Sequence, residues 1–454
     1  RYENNETAGS THLIEQMAWK STTTRTHAQV VGALEEIGGV PNAVASREEI
    51  VYSVDVLREH SKEAMQLLGD IVSSPQMEVD ELEESRQVVG FLLDMSKDQV
   101  SGNIQGNVME ELTSVAFGGG TVINNNSNSN SNSNETETET TATTTTTTTE
   151  NNQATTTTPL GRPLFCNPTR TEDTSESFAP NVDVVRKFHN DHFRGENIVI
   201  SAAGLSHQEA VTLAEKYFGH IPEKVEESTK QERELALQTN AYVGGSRLIS
   251  IPDLDFVHVG IGFETGGWHD DDLVPACVLV ALLGGGDSFS AGGPGKGMYS
   301  RLYREVLNMC GWVESILGVS LIHTDVGCVG IVGSTDAQYA ASLYRVMCDQ
   351  WIRAATEPVD DISLSRARNR LKSSVLMNLE SRLVLGDDMA RQVATYGERQ
   401  HADVVCSRID AVTTDDLIRV AKRGLKSNPS VVAYGNLEHI PENIHELVAQ
   451  ALKQ

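Results

Sequence analysis

The stretch Val306–Ile331, VLNMCGWVESILGVSLIHTDVGCVGI, decides the fold, because its plan occurs twice in the chain. It reads as a helix end, a glycine turn, and β-type residues that return on each other as a hairpin. Leu34–Leu57, LEEIGGVPNAVASREEIVYSVDVL, follows the same plan. Each copy then continues into an amphipathic helical pattern, VDELEESRQVVGFLLDM (Val79–Met95) and VDDISLSRARNRLKSSVLMNL (Val359–Leu379), with Ser85-Arg86 and Ser365-Arg366 in register. A third element, NIVISAAG (Asn197–Gly204), is expected to end a strand before a helix over Gln208–Phe218. SVVAYGNL (Ser430–Leu437) does the same before Asn443–Leu452. The expected class is α+β. Two homologous α/β halves, residues 1–221 and 241–454, each carry a mainly antiparallel sheet packed with helices and are joined by the charged linker 222–240.

The repeat is incomplete at one point. Half two opens with a strand, VHVGIGFETGGW (Val257–Trp268), before its first helix, whereas half one begins at Arg1 where that strand should already have ended. The expectation is that a segment preceding Arg1, or another polypeptide, supplies the missing strand, since an open sheet edge invites aggregation. With neither an initiating Met nor a signal peptide, the sequence reads as processed or incomplete. Residues 124–158 alternate Asn/Ser, then Glu/Thr, then run into a Thr tract. With almost nothing apolar to bury, they read as a disordered insertion in a loop, tolerated because closure entropy grows slowly with length.

Bulk properties narrow the function. At 454 residues the chain exceeds what one small core supports. No run of eighteen apolar residues exists, so the chain has no membrane span of its own. A formal net charge of −27 disfavours nucleic acid and favours basic partners. The six cysteines (Cys166, Cys277, Cys310, Cys328, Cys348, Cys406) are dispersed, which argues for reduced thiols and against a zinc ribbon or disulfide scaffold.

Two segments carry chemistry. In LGGGDSFSAGGPGKGMYSRLYREVL (Leu283–Leu307), seven of the fourteen residues from Gly284 to Gly297 are glycine. The run lies between an apolar segment, Ala276–Leu283, and a helix-like one, Met298–Asn308. Phosphate cradles fail on spacing: Lys296 is followed by Gly297 rather than Ser or Thr, and Gly284 and Gly286 are followed by Phe289 rather than a third glycine. The second segment, THLIEQMAWK (Thr11–Lys20), places His12, Glu15 and Gln16 on an apolar-patterned helix. It is one residue from His-x-x-Glu-His, in which two histidines bind zinc and the glutamate activates water. A glutamine amide is a poor substitute for imidazole, and the position of the third ligand, on the helix Val79–Met95, aligns with Leu92. Catalytic zinc needs three protein ligands. The expectation is no metal in this chain, with His12, Glu15, Gln16 and Leu92 as relic positions and no catalytic residue.

Together the glycine-rich loop with its following MYSRLYREVLN, Arg1–Thr22, Ser46–Leu57 (SREEIVYSVDVL) and Leu371–Arg382 (LKSSVLMNLESR) resemble the alpha subunits of mitochondrial processing peptidases, within the pitrilysin-type inverzincins. They are also similar to the second core protein of the cytochrome bc complex, respiratory complex III. The resemblance spans the chain except 124–158 and implies a clam-like subunit. It implies a heterodimer whose beta subunit, the counterpart of the first core protein, holds the zinc, while the alpha loop binds Arg-rich presequences. The implied substrate-binding residues are Gly284, Gly285, Gly286, Asp287, Ser288, Phe289, Gly292, Gly293, Gly295, Lys296 and Gly297. Asp287, Glu305 and Glu314 are the loop carboxylates near enough in sequence to meet presequence arginines. The implied location is the matrix side of the mitochondrial inner membrane, within complex III. A purely structural core-protein role is the alternative, and a self-sufficient zinc protease is the reading the ligand argument opposes.

Overall fold

The structure, a computed structural model, describes residues 2–4, 6–96, 104–118, 159–162, 180–224, 226, 229–231, 241–252, 254–288 and 297–453. The insertion 124–158 therefore lies outside the described residues, as does much of the linker 222–240. Half one runs α1 (Ser10–Gln16), α2 (His27–Glu36), β1 (Val40–Ala45), β2 (Ile50–Asp55), α3 (Ser61–Ser73), α4 (Val79–Ser96), α5 (Ile104–Gly118), α6 (Val182–His192) and α7 (His207–Phe218). Half two runs β3 (Gly245–Ser250), β4 (Phe256–Gly266), α8 (Leu273–Leu283), β5 (Gly285–Asp287), a π-helical turn (Tyr303–Leu307), β6 (Val313–Ile322) and β7 (Val326–Asp336). It continues through α9 (Ala340–Thr356), α10 (Asp361–Asn378), α11 (Arg382–Tyr396), α12 (Ala402–Ala411), α13 (Thr414–Lys426), β8 (Ser430–Gly435) and α14 (Ile444–Ala451). The class is α+β, and the two hairpins, β1–β2 and β6–β7, fall where the repeat places them.

The sheet of half two has six strands in the order β3-β8-β4-β7-β6-β5, antiparallel except for the β3–β8 pair. Every residue of β8, and every residue of β7 but its last, is buried, because helices cover both faces. Alternate side chains of β4, β7 and β8 sort to those faces. Val259, Ile261, Phe263, Val329, Ile331, Val431 and Ala433 join α8 and α9 in the main core, where Phe263 stacks on Trp351 at 4.2 Å between centroids. The sequence LVPACVLVALL makes α8 apolar all round, as a helix packed between other elements must be. On the other face, Val332, Val432 and Tyr434 meet Ile104, Val108, Leu112 and Val115 of α5. Thus α5, early in the sequence, closes one face of the sheet formed by strands from residue 245 onward.

Half one is less enclosed. Its hairpin pairs Val40 with Asp55 through Ala45 with Ile50, and this is its whole sheet among the described residues. Leu13 and Ile14 of α1 and the following Met17 pack with Leu82 and Val89 of α4 and Val185 and Phe188 of α6, while Val30, Leu34, Leu67 and Ile71 join α2 to α3. The strand expected at Asn197–Gly204 does not form: Ile198 is extended, at φ −105° and ψ 123°, but 198–203 pairs with no strand among the described residues. Its counterpart β8 is ordered by neighbours on both sides, and extended backbone without a ladder is not a strand. Over this half lies α11, which has no buried residue and is tied on by Ser201 Oγ donating to the Gly386 carbonyl at 2.7 Å and by Arg391 to Glu49 at 3.0 Å. Arg47 donates to both oxygens of Glu110 at 2.7 and 2.8 Å, and Arg247 reaches Glu111 at 2.7 Å. Among the described residues no helix is long and apolar enough to cross a membrane, and Cys277, Cys310, Cys328, Cys348 and Cys406 are free thiols.

Candidate functional site

Two places answer to the chemistry read from the sequence. The first is α1. Its N-terminus is capped by Glu3, whose carboxylate accepts from the Gly9 amide at 2.9 Å and the Thr11 amide at 2.7 Å. That fixes His12 into the half-one core, 5% exposed, where burial pushes its pKa down to about 4 and keeps the imidazole neutral. Burial raises the Glu15 pKa, and the Ala45 amide donating to its carboxylate offsets part of that rise. Glu15 is thus engaged by the edge of β1. Gln16 follows on α1, while Leu92 stands on α4 with 47% of its surface exposed. Among the described residues no three His, Cys, Asp or Glu side chains converge as a ligand set. One imidazole, one carboxylate held by an amide, one carboxamide and one aliphatic side chain form a poor donor set for zinc.

The second place is the root of the glycine-rich run. Helix α8 stops at Gly284, whose φ of 57° and ψ of −125° are open to glycine and strained for other residues. Gly285, at φ 113°, comes so close to β6 that a Cβ there would lie 1.9 Å from the Ile316 carbonyl oxygen. Gly285–Asp287 consequently zips onto Ser315–Leu317 as β5, and Ser288 N–H donates to the Glu314 carbonyl at 2.7 Å. The chain re-enters at Gly297, φ 79°, and Ser300 N–H donates to its carbonyl at 2.9 Å. Ser300 Oγ then accepts from the Gly285 amide at 3.1 Å, which links the outgoing and returning strands of the loop.

Of the sequence-derived site residues, Gly284, Gly285, Gly286, Asp287, Ser288 and Gly297 form this root. Phe289, Gly292, Gly293, Gly295 and Lys296 lie outside the described residues. The helix expected over Met298–Asn308 is shorter: a turn follows Gly297, and the helical part is 301–307, which is π-helical over Tyr303–Leu307. The three carboxylates separate. Glu305 is consumed by Arg353 at 2.6 Å and Arg304 at 3.2 Å; burial alone would raise its pKa, but the two guanidinium groups outweigh burial and hold it below the usual range. Asp287 is exposed and adjacent in register to Ser315, next to Glu314, and neither acid has an ion-pair partner among the described residues. Sequence reasoning missed Ser300 and Arg370, which meet the loop root from elsewhere. The only signal for Arg370 is its spacing of four from Arg366 on α10, which puts the two on one helix face.

Known proteins match along both halves. Residues 1–129 match the family model described as "Insulinase (Peptidase family M16)", and residues 181–371 match "Peptidase M16 inactive domain". The chain is 32% identical to the mitochondrial-processing peptidase subunit alpha of Solanum tuberosum, over 97% of this chain and 76% of that protein. It is 29% identical to the probable mitochondrial-processing peptidase subunit alpha-1 of Arabidopsis thaliana, over 95% and 75%. A solved structure titled "Complex III2 from Candida albicans, Inz-5 bound" superposes with a TM-score of 0.72 over 99% of this chain and 91% of the matched chain, at 15% identity, a likeness of fold.

Proposed function

The chain belongs to peptidase family M16, among the alpha subunits of mitochondrial-processing peptidase, and on that premise we propose that it is the non-catalytic, presequence-recognising member of a heterodimer. The zinc sits in a partner beta subunit. The observation that carries this reading is the loop root. Asp287 pairs in register with Ser315, one residue from Glu314, and neither carboxylate has an ion-pair partner among the described residues, at the root of the glycine-rich run where Gly284, Gly285 and Gly297 leave no room for a side chain. Presequences are Arg-rich and amphipathic, so two carboxylates without ion-pair partners at the root of this run suit them by charge, and the net charge of −27 adds a long-range pull. The α1 site supports a non-catalytic assignment from the other side, since Gln16 and Leu92 offer zinc neither imidazole nor carboxylate.

Removing residues 289–296 from the assembled heterodimer tests the reading. Presequence affinity should fall while the dimer stays intact, and unchanged affinity and processing would refute the role of the loop. Asp287→Asn with Glu314→Gln should weaken binding in a salt-dependent way.

A second reading is favoured by the Candida albicans complex III neighbour: residence as a core protein of complex III on the matrix side of the inner membrane, with or without processing. Co-purification of the chain with haem and an intact His-x-x-Glu-His homologue supports the combined role. Haem without processing activity leaves the purely structural one.

A further inference from the structure

Resting on the presequence-binding reading of the loop, we propose that Arg370 is the positioning residue of the glycine-rich loop, its guanidinium wedged between the loop's two ends. The same guanidinium closes on both glycines, joined at Gly284 by Ser300, whose Cβ and Oγ would lie 2.3 and 2.5 Å from a Cβ there. A Cβ on Gly284 would lie 2.7 Å from Arg370 Nη1, and a Cβ on Gly297 would lie 2.7 Å from the same atom and 2.9 Å from Cζ. Both glycines have positive φ, and the side of the backbone that glycine alone leaves open is filled by the guanidinium at Gly297 and by Ser300 together with the guanidinium at Gly284. One turn earlier on α10, the Arg366 guanidinium lies over the Tyr299 ring at 4.8 Å, which holds the returning strand of the loop to the same helix face. Arg353 closes the arrangement from α9 by engaging Glu305 just beyond the return.

Arg370 itself has no hydrogen-bond or ion-pair partner among the described residues, unlike Arg353 or Arg368, whose guanidinium donates to the Val412 carbonyl. Ser300 ties the two segments by a hydrogen bond, and the planar guanidinium of Arg370, on a residue exposed overall, packs against both from α10 and acts by shape rather than by a bond. Gly284 marks the end of α8, Gly285 is fixed to β6, and Gly297 begins the return, so the separation at Arg370 sets where the loop's outgoing and returning segments leave the fold. Lysine, being thinner, keeps the charge without the wedge. Alanine leaves neither.

The experiment uses the reconstituted heterodimer with an Arg-rich presequence peptide. Arg370→Ala is expected to raise KM about tenfold with kcat held within about twofold, because a displaced binding element weakens capture before chemistry. Arg370→Lys should remain impaired, and methylguanidinium should restore the KM of Arg370→Ala without affecting the native dimer. Hydrogen exchange at residues 285–288 and 297–300 should rise in Arg370→Ala and nowhere else. A native KM and native exchange in Arg370→Ala, alongside a raised KM in the 289–296 deletion, would overturn this inference while leaving the loop's role standing. A deletion that leaves KM unchanged defeats the loop's role itself; raised exchange at the root in Arg370→Ala would still support the wedge. A variant that loses thermal stability throughout the molecule makes Arg370 a packing residue and also overturns the inference.

Discussion

The two halves carry the same local pattern to different degrees of enclosure. In half two the hairpin β6–β7 lies inside a six-stranded sheet with helices on both faces, and β7 is buried along almost its whole length. In half one the equivalent hairpin β1–β2 is a two-stranded sheet among the described residues, and its Val40 and Val44 are 67% and 49% exposed. The covering helices repeat the contrast: α5 buries nine residues, Ile104, Val108, Leu112 and Val115 among them on the sheet of half two, whereas α11, reaching back over half one, buries none. Alternation of residues sets which way side chains face. Burial depends on how many neighbours the sheet gathers, and an isolated hairpin gathers too few for independent stability.

The largest test of that contrast is core truncation. Trp351→Ala should cost roughly 4 kcal/mol, since a fully buried ring stacked on Phe263 leaves a cavity, whereas Val54→Ala in β2 should cost about 1 kcal/mol. Calorimetric unfolding measures both, and equal losses would break the comparison. Acid comes next. In the half-one core, burial lowers the pKa of His12 and of His189 to about 4 from the ordinary 6.5, whereas half two has one such histidine, His258 on β4. The unfolded chain binds protons at these rings first, so the stabilisation is fully present above pH 6.5 and is lost as pH falls towards 4, by about 3 kcal/mol per ring. Denaturant unfolding at pH 7 and 4.5 should show α1 and α6 opening first, and His12→Gln should flatten that dependence.

Two smaller changes refine the picture. Gly285→Ala should cost at least about 3 kcal/mol, because its Cβ meets the Ile316 carbonyl, while Gly38→Ala, at φ 59° with open space around it, should cost only about 1 kcal/mol. Thermal melts of the two variants check this, and similar losses would mean that the loop root yields as easily as the hairpin approach. Arg391→Ala should change global stability by no more than about 0.5 kcal/mol, since its pair with Glu49 is part-exposed. Hydrogen exchange in α11 should still rise; an unchanged pattern would show that Ser201 alone holds the helix there.

Much of this order was legible in the residues. Both hairpins, the helices at Val79 and Val359, and the strand of half two ahead of α8 follow from periodicity and glycine turns, which are local. Asn197–Gly204 misled because IVIS satisfies every local rule for a strand, and pairing is a property of neighbours distant in sequence. The loop root was found through its glycine density, but the fate of Glu305 was not, since Arg353 lies 48 residues away on another helix. Arg370 escaped for the same reason: a wedge has no signature until the two backbones it separates are placed.

The crossing of α5 into the core of half two has a consequence in time. Ile104–Gly118 leaves the ribosome long before β4, β7 and β8 exist to receive it. At cellular rates of roughly 5–20 residues per second, about three hundred further residues take on the order of fifteen seconds to a minute. Throughout that interval the apolar face of Ile104, Val108, Leu112 and Val115 waits without its sheet, and half one produced alone should be sticky in proportion to the face of α5 that it leaves bare.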